Sequence, residues 1–196
     1  MSHLTVIAGS MYAGKSEELV MQLRRYRYRK KRILVVKPKI DTRSKEEIVS
    51  RLSRTGEKQD FAPVSTWEAI SIESAKEFSK LIKEHNPEVV GIDEAQFFKP
   101  WMFRFVNKLL AEKSSEDLKI LIAGLDMDAW RRPFGIMPNL MAIADEVIKK
   151  SAVCMSCDAD AVLSQKIVNS GQQVEVGNTE TYEARCRKCH VLPEEL

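Results

Sequence analysis

Gly9-Ser10-Met11-Tyr12-Ala13-Gly14-Lys15-Ser16 is the stretch that decides how this chain is built. It fits the pattern G-x-x-x-x-G-K-[ST], in which successive backbone N–H groups line one concavity and hold a polyphosphate at a helix N-terminus. Lys15 reaches the outer phosphates as a point charge, and the Ser16 hydroxyl is placed to ligate Mg²⁺. The pattern has chance matches, so its neighbours matter. Leu4-Thr5-Val6-Ile7-Ala8 reads as a short buried strand, and residues 17–29 read as a helix. Strand, loop and helix in that order are the setting the pattern requires. A plain turn between strand and helix needs no Lys-Ser after its second glycine.

Outward from the loop, Arg32-Ile33-Leu34-Val35-Val36-Lys37-Pro38 reads as a second buried strand, ended by Pro38. Strand, helix, strand is a βαβ unit, so the two strands run parallel. Residues 39–60 are polar, charged and weakly periodic. They predict a flexible loop over about 41–60 near the nucleotide, with a short helical turn at 45–52. Phe61-Ala62-Pro63-Val64-Ser65 resumes an extended segment. Residues 70–85 predict a helix, with Ser71 as N-cap and Asn86-Pro87 as its stop.

Val89-Val90-Gly91-Ile92-Asp93-Glu94 is an apolar strand that ends in acids downstream of a phosphate loop, the Walker B arrangement. Asp93 is placed to orient Mg²⁺ alongside Ser16. Glu94 stands at the strand's C-terminal edge, where ligands bind in open α/β sheets. A carboxylate there can take a proton from a hydroxyl nucleophile. Gln96, Phe97 and Phe98 add an amide and aromatic faces beside the site. Residues 101–113 form an amphipathic helix, and Lys119-Ile120-Leu121-Ile122-Ala123-Gly124-Leu125-Asp126 a further buried strand. The turn-rich Trp130-Arg131-Arg132-Pro133-Phe134-Gly135 follows, then a short helix at 139–145 and a last strand at 147–150.

From Val153 the chain changes character. Cys154-x-x-Cys157 and Cys186-x-x-Cys189 enclose 28 residues, and four thiolates paired in this way can close a tetrahedral Zn²⁺ site. With no open coordination position such a metal is structural. His190, beside Cys189, is an alternative ligand. Residues 165–168 and 173–176 read as the strands of a hairpin between the pairs, closed at its base by the metal.

At 196 residues with 44% hydrophobic and 30% charged residues, the composition is that of a soluble chain. A net charge of +3 is too small to argue for nucleic acid. The basic run at 24–32 reads as the solvated end of the first helix, matched to its dipole. No apolar run approaches the roughly 20 residues of a membrane span. Met1-Ser2-His3-Leu4 leads straight into the first strand, so no signal peptide fits and a cytoplasmic location is expected. The expected fold is α/β, a P-loop NTPase-like parallel sheet flanked by helices over residues 1–150, with a small zinc-ribbon unit over 151–196. Three functions remain open on these residues. A small-molecule kinase would use Glu94 as base, with Lys15, Mg²⁺ and Arg43 neutralising the transferring phosphoryl. A nucleotide-hydrolysing switch would turn over without an acceptor. A zinc-ribbon nucleic-acid binder would need a basic C-terminal unit, yet residues 153–196 hold seven acids against four Lys and Arg.

With these pieces in order, the chain resembles the zinc-containing thymidine kinases of the human cytosolic and bacterial type. The resemblance spans nearly the whole chain. It rests on the phosphate loop, Asp41-Thr42-Arg43, Asp93-Glu94-Ala95-Gln96-Phe97-Phe98, Leu125-Asp126, Arg132-Pro133-Phe134-Gly135, and the cysteine pairs with Tyr182 four residues before Cys186. It implies transfer of the γ-phosphoryl of ATP, with Mg²⁺, to the 5′-hydroxyl of thymidine and also of deoxyuridine. Glu94 matches the family's general base, Arg43 its arginine near the transferring phosphoryl, and Asp93 its Walker B acid. Gly9 to Ser16, Asp93 and Gln96 match its ATP-binding positions. The C-terminal lasso of the family holds the base largely through its main chain, which implies Gln173, Val174, Glu175, Val176 and Gly177 here. Met11, Phe97, Leu125, Phe134 and Tyr182 match positions around the base, and Ser164 falls where the family often has threonine near the methyl edge. The family implies a homotetramer, feedback inhibition by thymidine triphosphate, and neither nucleic-acid nor membrane partners. Two departures stand out: Arg54-Thr55-Gly56 replaces a His-x-Gly turn, and Val174-Glu175-Val176-Gly177-Asn178 has one glycine fewer than the common form.

Overall fold

The computed structural model describes residues 1–41, 47–51, 63–167 and 181–193. Its centre is a six-stranded sheet built from β1 (His3–Gly9), β2 (Ile33–Pro38), β5 (Ile70–Ile72), β6 (Val89–Ile92), β7 (Lys119–Gly124) and β8 (Glu146–Lys150). The order across it is β5-β2-β6-β7-β1-β8, and every neighbouring pair is parallel. Parallel strands need crossovers and are covered on both faces, so they read as continuous apolar runs.

Side-chain alternation along these strands sorts the core into two layers. Leu4, Val6, Leu34, Val36, Val90, Ile92, Ile120 and Ile122 point to one face. There they meet Phe78 of α2 (Ala75–His85), Met102, Val106 and Leu109 of α3 (Trp101–Glu112), and Leu140 of α4 (Met137–Ile143). Ile7, Val35, Leu121 and Ala123 point to the other face, against Leu19, Val20 and Leu23 of α1 (Lys15–Tyr28). α1 carries Glu17 and Glu18 in its first turn and Arg25 and Arg27 in its last, which suits its dipole at both ends. Tyr28 is fully exposed at that end, so the basic run there is a solvated helix terminus.

Two expectations give way. The helical turn at 45–52 is instead β3 (Glu47–Arg51), antiparallel to β4 (Pro63–Glu68) in a separate two-stranded ribbon. Ile48 drives this: it is buried against the α1 face, and the Arg27 guanidinium sits 5.6 Å over the Trp67 ring. The remainder of the 41–60 loop, beyond Asp41 and β3, lies outside the described residues. The helix from 70 starts later. Residues 70–72 pair with β2 as β5, and α2 begins after Ser74, not Ser71. Ser74 Oγ accepts from Glu77 N–H, and the Glu77 carboxylate accepts from Ser74 N–H, a capping box. Ser74→Ala should lower unfolding stability by about 1 kcal/mol, read as a shifted denaturant midpoint at unchanged slope.

The chain after β8 forms two small antiparallel pairs: β9 (Ala152–Val153) with β10 (Asp160–Ala161), and β11 (Leu163–Lys166) with β12 (Tyr182–Arg185). The expected partner of the first hairpin strand, 173–176, lies outside the described residues; among the described residues β11 pairs with Tyr182–Arg185. Among the described residues no helix is long and apolar enough to cross a membrane.

Candidate active site

Because the sheet is parallel, the loops after β1, β2, β6 and β7 leave from one edge, the edge where α/β sheets bind ligands. The phosphate loop follows β1. Gly9 sits at φ 150° beside Lys150 of β8, and a Cβ there would stand 2.2 Å from the Lys150 carbonyl oxygen. Only glycine lets the two chains close to this distance. Gly14, at φ 71°, is the N-cap of α1. The Lys15 ammonium donates to the Ser10 carbonyl at 2.6 Å, and Lys150 pairs with Glu18 at 3.1 Å on the flank of the loop.

Ser16 Oγ donates to the Asp93 carboxylate, with 3.2 and 3.1 Å to its two oxygens. The two groups proposed to share Mg²⁺ therefore meet directly, from the start of α1 and the end of β6. A hydroxyl and a buried carboxylate are hard oxygen donors of the kind Mg²⁺ takes.

Glu94 comes next, at φ 51° and ψ 42°, the sharp exit from β6 into the 3-10 turn Ala95–Phe97. Its carboxylate accepts from Gln96 Nε2 at 2.5 Å, and Gln96 Oε1 accepts from Leu125 N–H at 3.0 Å. One buried amide thus spans the ends of β6 and β7 and aims the carboxylate. Gly135 closes over it at φ 55°: a Cβ there would stand 2.3 Å from the Gln96 carbonyl oxygen.

The loop after β7 is folded by its own polar groups. Asp128 Oδ1 accepts from both Trp130 and Arg132 N–H, and Met127 bridges Pro133. This return places the Phe134 ring edge-on to Phe97, with centroids 5.8 Å apart. Phe97, Phe134, Leu125 and Gln96 are therefore brought together. On the other side, Ser164 Oγ accepts from Met11 N–H at 3.0 Å, and the Tyr12 hydroxyl donates to the Tyr182 carbonyl at 3.0 Å. Arg43, Gln173, Val174, Glu175, Val176 and Gly177 lie outside the described residues.

The four cysteine sulfurs lie within 4.8 Å of one another. A tetrahedral Zn–S₄ site needs sulfurs about 3.8 Å apart, given Zn–S bonds of about 2.3 Å. Cys157 and Cys186 already stand at 3.6 Å. Burial pushes the Cys154 thiol up, but the backbone N–H groups of Cys186, Ser156 and Cys157 more than offset this and favour the thiolate. The residues fit a structural metal. His190 is not part of the set. Its Nδ1 accepts from Arg131 Nε at 3.1 Å and its carbonyl from the same guanidinium at 2.8 Å, so it ties the metal knuckle to the loop after β7. Burial, then Arg131, lowers the imidazole below its usual range.

Two features had little sequence signal. Lys37 is 1% exposed at the end of β2, with its ammonium 3.6 Å from Asp41 and 3.4 Å from the Glu47 carbonyl. Lys149 pairs with buried Asp126 at 3.0 Å across the ends of β8 and β7. Both cations sit in stretches that read as strands; Asp41 is only four residues from Lys37, while nothing local pairs Lys149 with Asp126.

The family model described as thymidine kinase matches residues 2–190. A protein of Mycoplasma mobile named thymidine kinase is 40% identical over 98% of this chain and 88% of its own length. Its namesake in Coprothermobacter proteolyticus is 40% identical over 97% of this chain and 91% of its own. One from Mycoplasmoides gallisepticum is 34% identical over 97% and 81%. With a family match running almost end to end, this chain belongs to the thymidine kinase family.

Proposed function

We propose that this chain transfers the γ-phosphoryl of ATP to the 5′-hydroxyl of thymidine, and of deoxyuridine, to give the nucleoside monophosphate and ADP. The observation that carries this reading is the pairing of a phosphate loop with two successive acids held for different work. Asp93 is engaged by Ser16, while Glu94 is held by Gln96.

The backbone of Gly9, Ser10, Met11, Tyr12, Ala13, Gly14, Lys15 and Ser16 cradles the phosphates, with Asp93 and Gln96 beside it. Bound at Ser16 and Asp93, Mg²⁺ would neutralise charge on the β- and γ-phosphates. Glu94 accepts the proton of the 5′-hydroxyl as that oxygen bonds to the γ-phosphorus and the bridging bond to the β-phosphate breaks. Lys15 and Arg43 balance charge on the transferring group. Met11, Phe97, Leu125, Phe134, Ser164 and Tyr182 surround the base, and Gln173, Val174, Glu175, Val176 and Gly177 hold its polar edge through the main chain. Residues 1–150 then serve as the nucleotide domain and 151–196 as a lasso domain fixed by Zn²⁺. The family also supports a cytoplasmic homotetramer inhibited by thymidine triphosphate.

ADP release from Mg²⁺–ATP, measured with each nucleoside added in turn, tests the reading. Thymidine and deoxyuridine should stimulate release well above the rate without nucleoside. A thymidine rate equal to that background would sink the kinase assignment and favour a hydrolysing switch.

A further inference from the structure

Two consecutive residues of the loop after β7, Trp130 and Arg131, are gripped by the C-terminal unit. Arg131 Nε donates to His190 Nδ1 at 3.1 Å, and its Nη2 donates to the His190 carbonyl at 2.8 Å. The Lys166 ammonium, on a residue only 1% exposed, stands 5.8 Å from the centroid of the Trp130 ring. A cation at that distance is drawn to the ring face, most strongly where water is excluded. The Arg131 backbone is left-handed at φ 62°, a conformation that a residue with a side chain keeps only where its surroundings hold it.

His190 is a fixed anchor. It is buried, its N–H donates to the Cys186 carbonyl at 3.1 Å, and the next N–H, of Val191, donates to Gln165 Oε1 at 2.7 Å. Its two acceptors are therefore held from both sides, independently of Arg131.

The loop's far end carries an aromatic wall. Phe134 N–H donates to the Asp126 carbonyl at 3.0 Å, and the Phe134 ring meets Phe97 edge-on. Between these ends the tip is closed on itself. The Asp128 carboxylate takes the N–H groups of Trp130 and Arg132, and Asp128 N–H donates to the Arg132 carbonyl at 2.9 Å. Those bonds shape the tip as one piece; the contacts to His190 and Lys166 fasten that piece to the C-terminal unit. Gln96, which holds Glu94, is anchored separately by Leu125 N–H.

We propose that Arg131 and His190 are positioning residues that set the Phe134–Phe97 wall and thereby the affinity for the nucleoside, without touching it. This rests on the functional reading above, in which that wall faces the base. With the clamp in place the wall is ordered before the nucleoside arrives, and binding loses less conformational freedom. Without it the tip shifts or moves, and the nucleoside must order the wall itself. Because Gln96 is held by Leu125 and not by the tip, the aim of Glu94 survives. The phosphate loop shares no bond with the clamp, so ATP binding survives as well.

The test uses the full zinc-loaded chain. Arg131→Gly removes the guanidinium at a position whose left-handed backbone suits glycine. His190→Leu removes the side-chain acceptor from the other end, and His190→Asn restores an oxygen near the place of Nδ1. Calorimetry reads the affinities for thymidine and for Mg²⁺ with a non-hydrolysable ATP analogue, and steady-state kinetics reads KM and kcat. Arg131→Gly and His190→Leu should each weaken thymidine binding and raise its KM by roughly 3- to 30-fold. Affinity for the analogue and kcat should stay within about twofold, with one metal per chain, and His190→Asn should recover most of the loss. A purely structural clamp would weaken both ligands alike or release the metal, which overturns the proposal. So does unchanged thymidine affinity in either variant that folds. Thymidine that neither binds nor stimulates ADP release in the unaltered chain removes the kinase reading and this proposal with it. Thymidine-dependent turnover with the same thymidine KM in Arg131→Gly removes this proposal alone.

Discussion

Glu94→Gln should lower kcat for thymidine phosphorylation by roughly 10²- to 10⁴-fold while leaving Mg²⁺–ATP binding nearly intact. The substitution keeps shape and hydrogen-bonding reach, so the amide of Gln96 still has an oxygen to donate to and the turn through Ala95–Phe97 is retained. What is lost is the ability to hold a proton from the 5′-hydroxyl. The phosphate loop and the Ser16–Asp93 contact are untouched, so ATP should bind as before. Steady-state turnover together with equilibrium binding of a non-hydrolysable ATP analogue checks both halves. Near-normal turnover would remove Glu94 from the role of base. Weakened analogue binding with unchanged kcat would place it among the phosphate ligands instead.

The second large effect is expected from the metal knuckle. Cys154→Ser should reduce bound zinc from about one per chain to near zero and reduce thymidine phosphorylation by more than about 10²-fold. Binding of a structural Zn²⁺ contributes about 10–16 kcal/mol in small zinc-binding peptides, as much as the whole stability of an ordinary domain. Cys154 is completely buried and sits in the cluster that also contains Ala13 of the phosphate loop. Losing the metal therefore loosens the support under the loop as well as the β11–β12 pair. Elemental analysis, a thermal melt and the coupled ADP assay read the three consequences. Full turnover in metal-free protein would show that the knuckle is dispensable.

The parts legible in the sequence were those whose cause is local. The run from Leu4 to Ser16 dictates strand, loop and helix start within thirteen residues, and Val89 to Glu94 does the same for the strand that ends in the two acids. Both cysteine pairs were legible because metal spacing is local to each pair. Ile70 and Ile72 misled, since apolar residues two apart with more at helical spacing beyond them satisfy both periods. The deciding signal was Ser74 with Glu77 three residues on, the capping box that starts α2. β3 was hidden for another reason. Its partner β4 begins twelve residues after β3 ends, and a polar sequence becomes a strand there only because Ile48 finds the α1 face. The bonds from Ser10, Met11 and Tyr12 to residues 161, 164 and 182 have no local signature at all. Neither does the Arg131–His190 tie, which only the folded chain reveals.

Those long-range ties to the phosphate loop bear on how the protein is made. β1 lies between β7 and β8, and the loop that follows it leans on Lys150, Ala161, Ser164 and Tyr182. At about 5–20 residues per second, a ribosome needs roughly 10–30 s to travel from the end of the loop to the last cysteine pair. Throughout that interval the nascent chain carries its nucleotide motif without the residues that brace it. The earliest sequence signal is therefore among the last parts of the molecule to be completed, and a chain arrested before Cys186 would emerge with the motif but not the site.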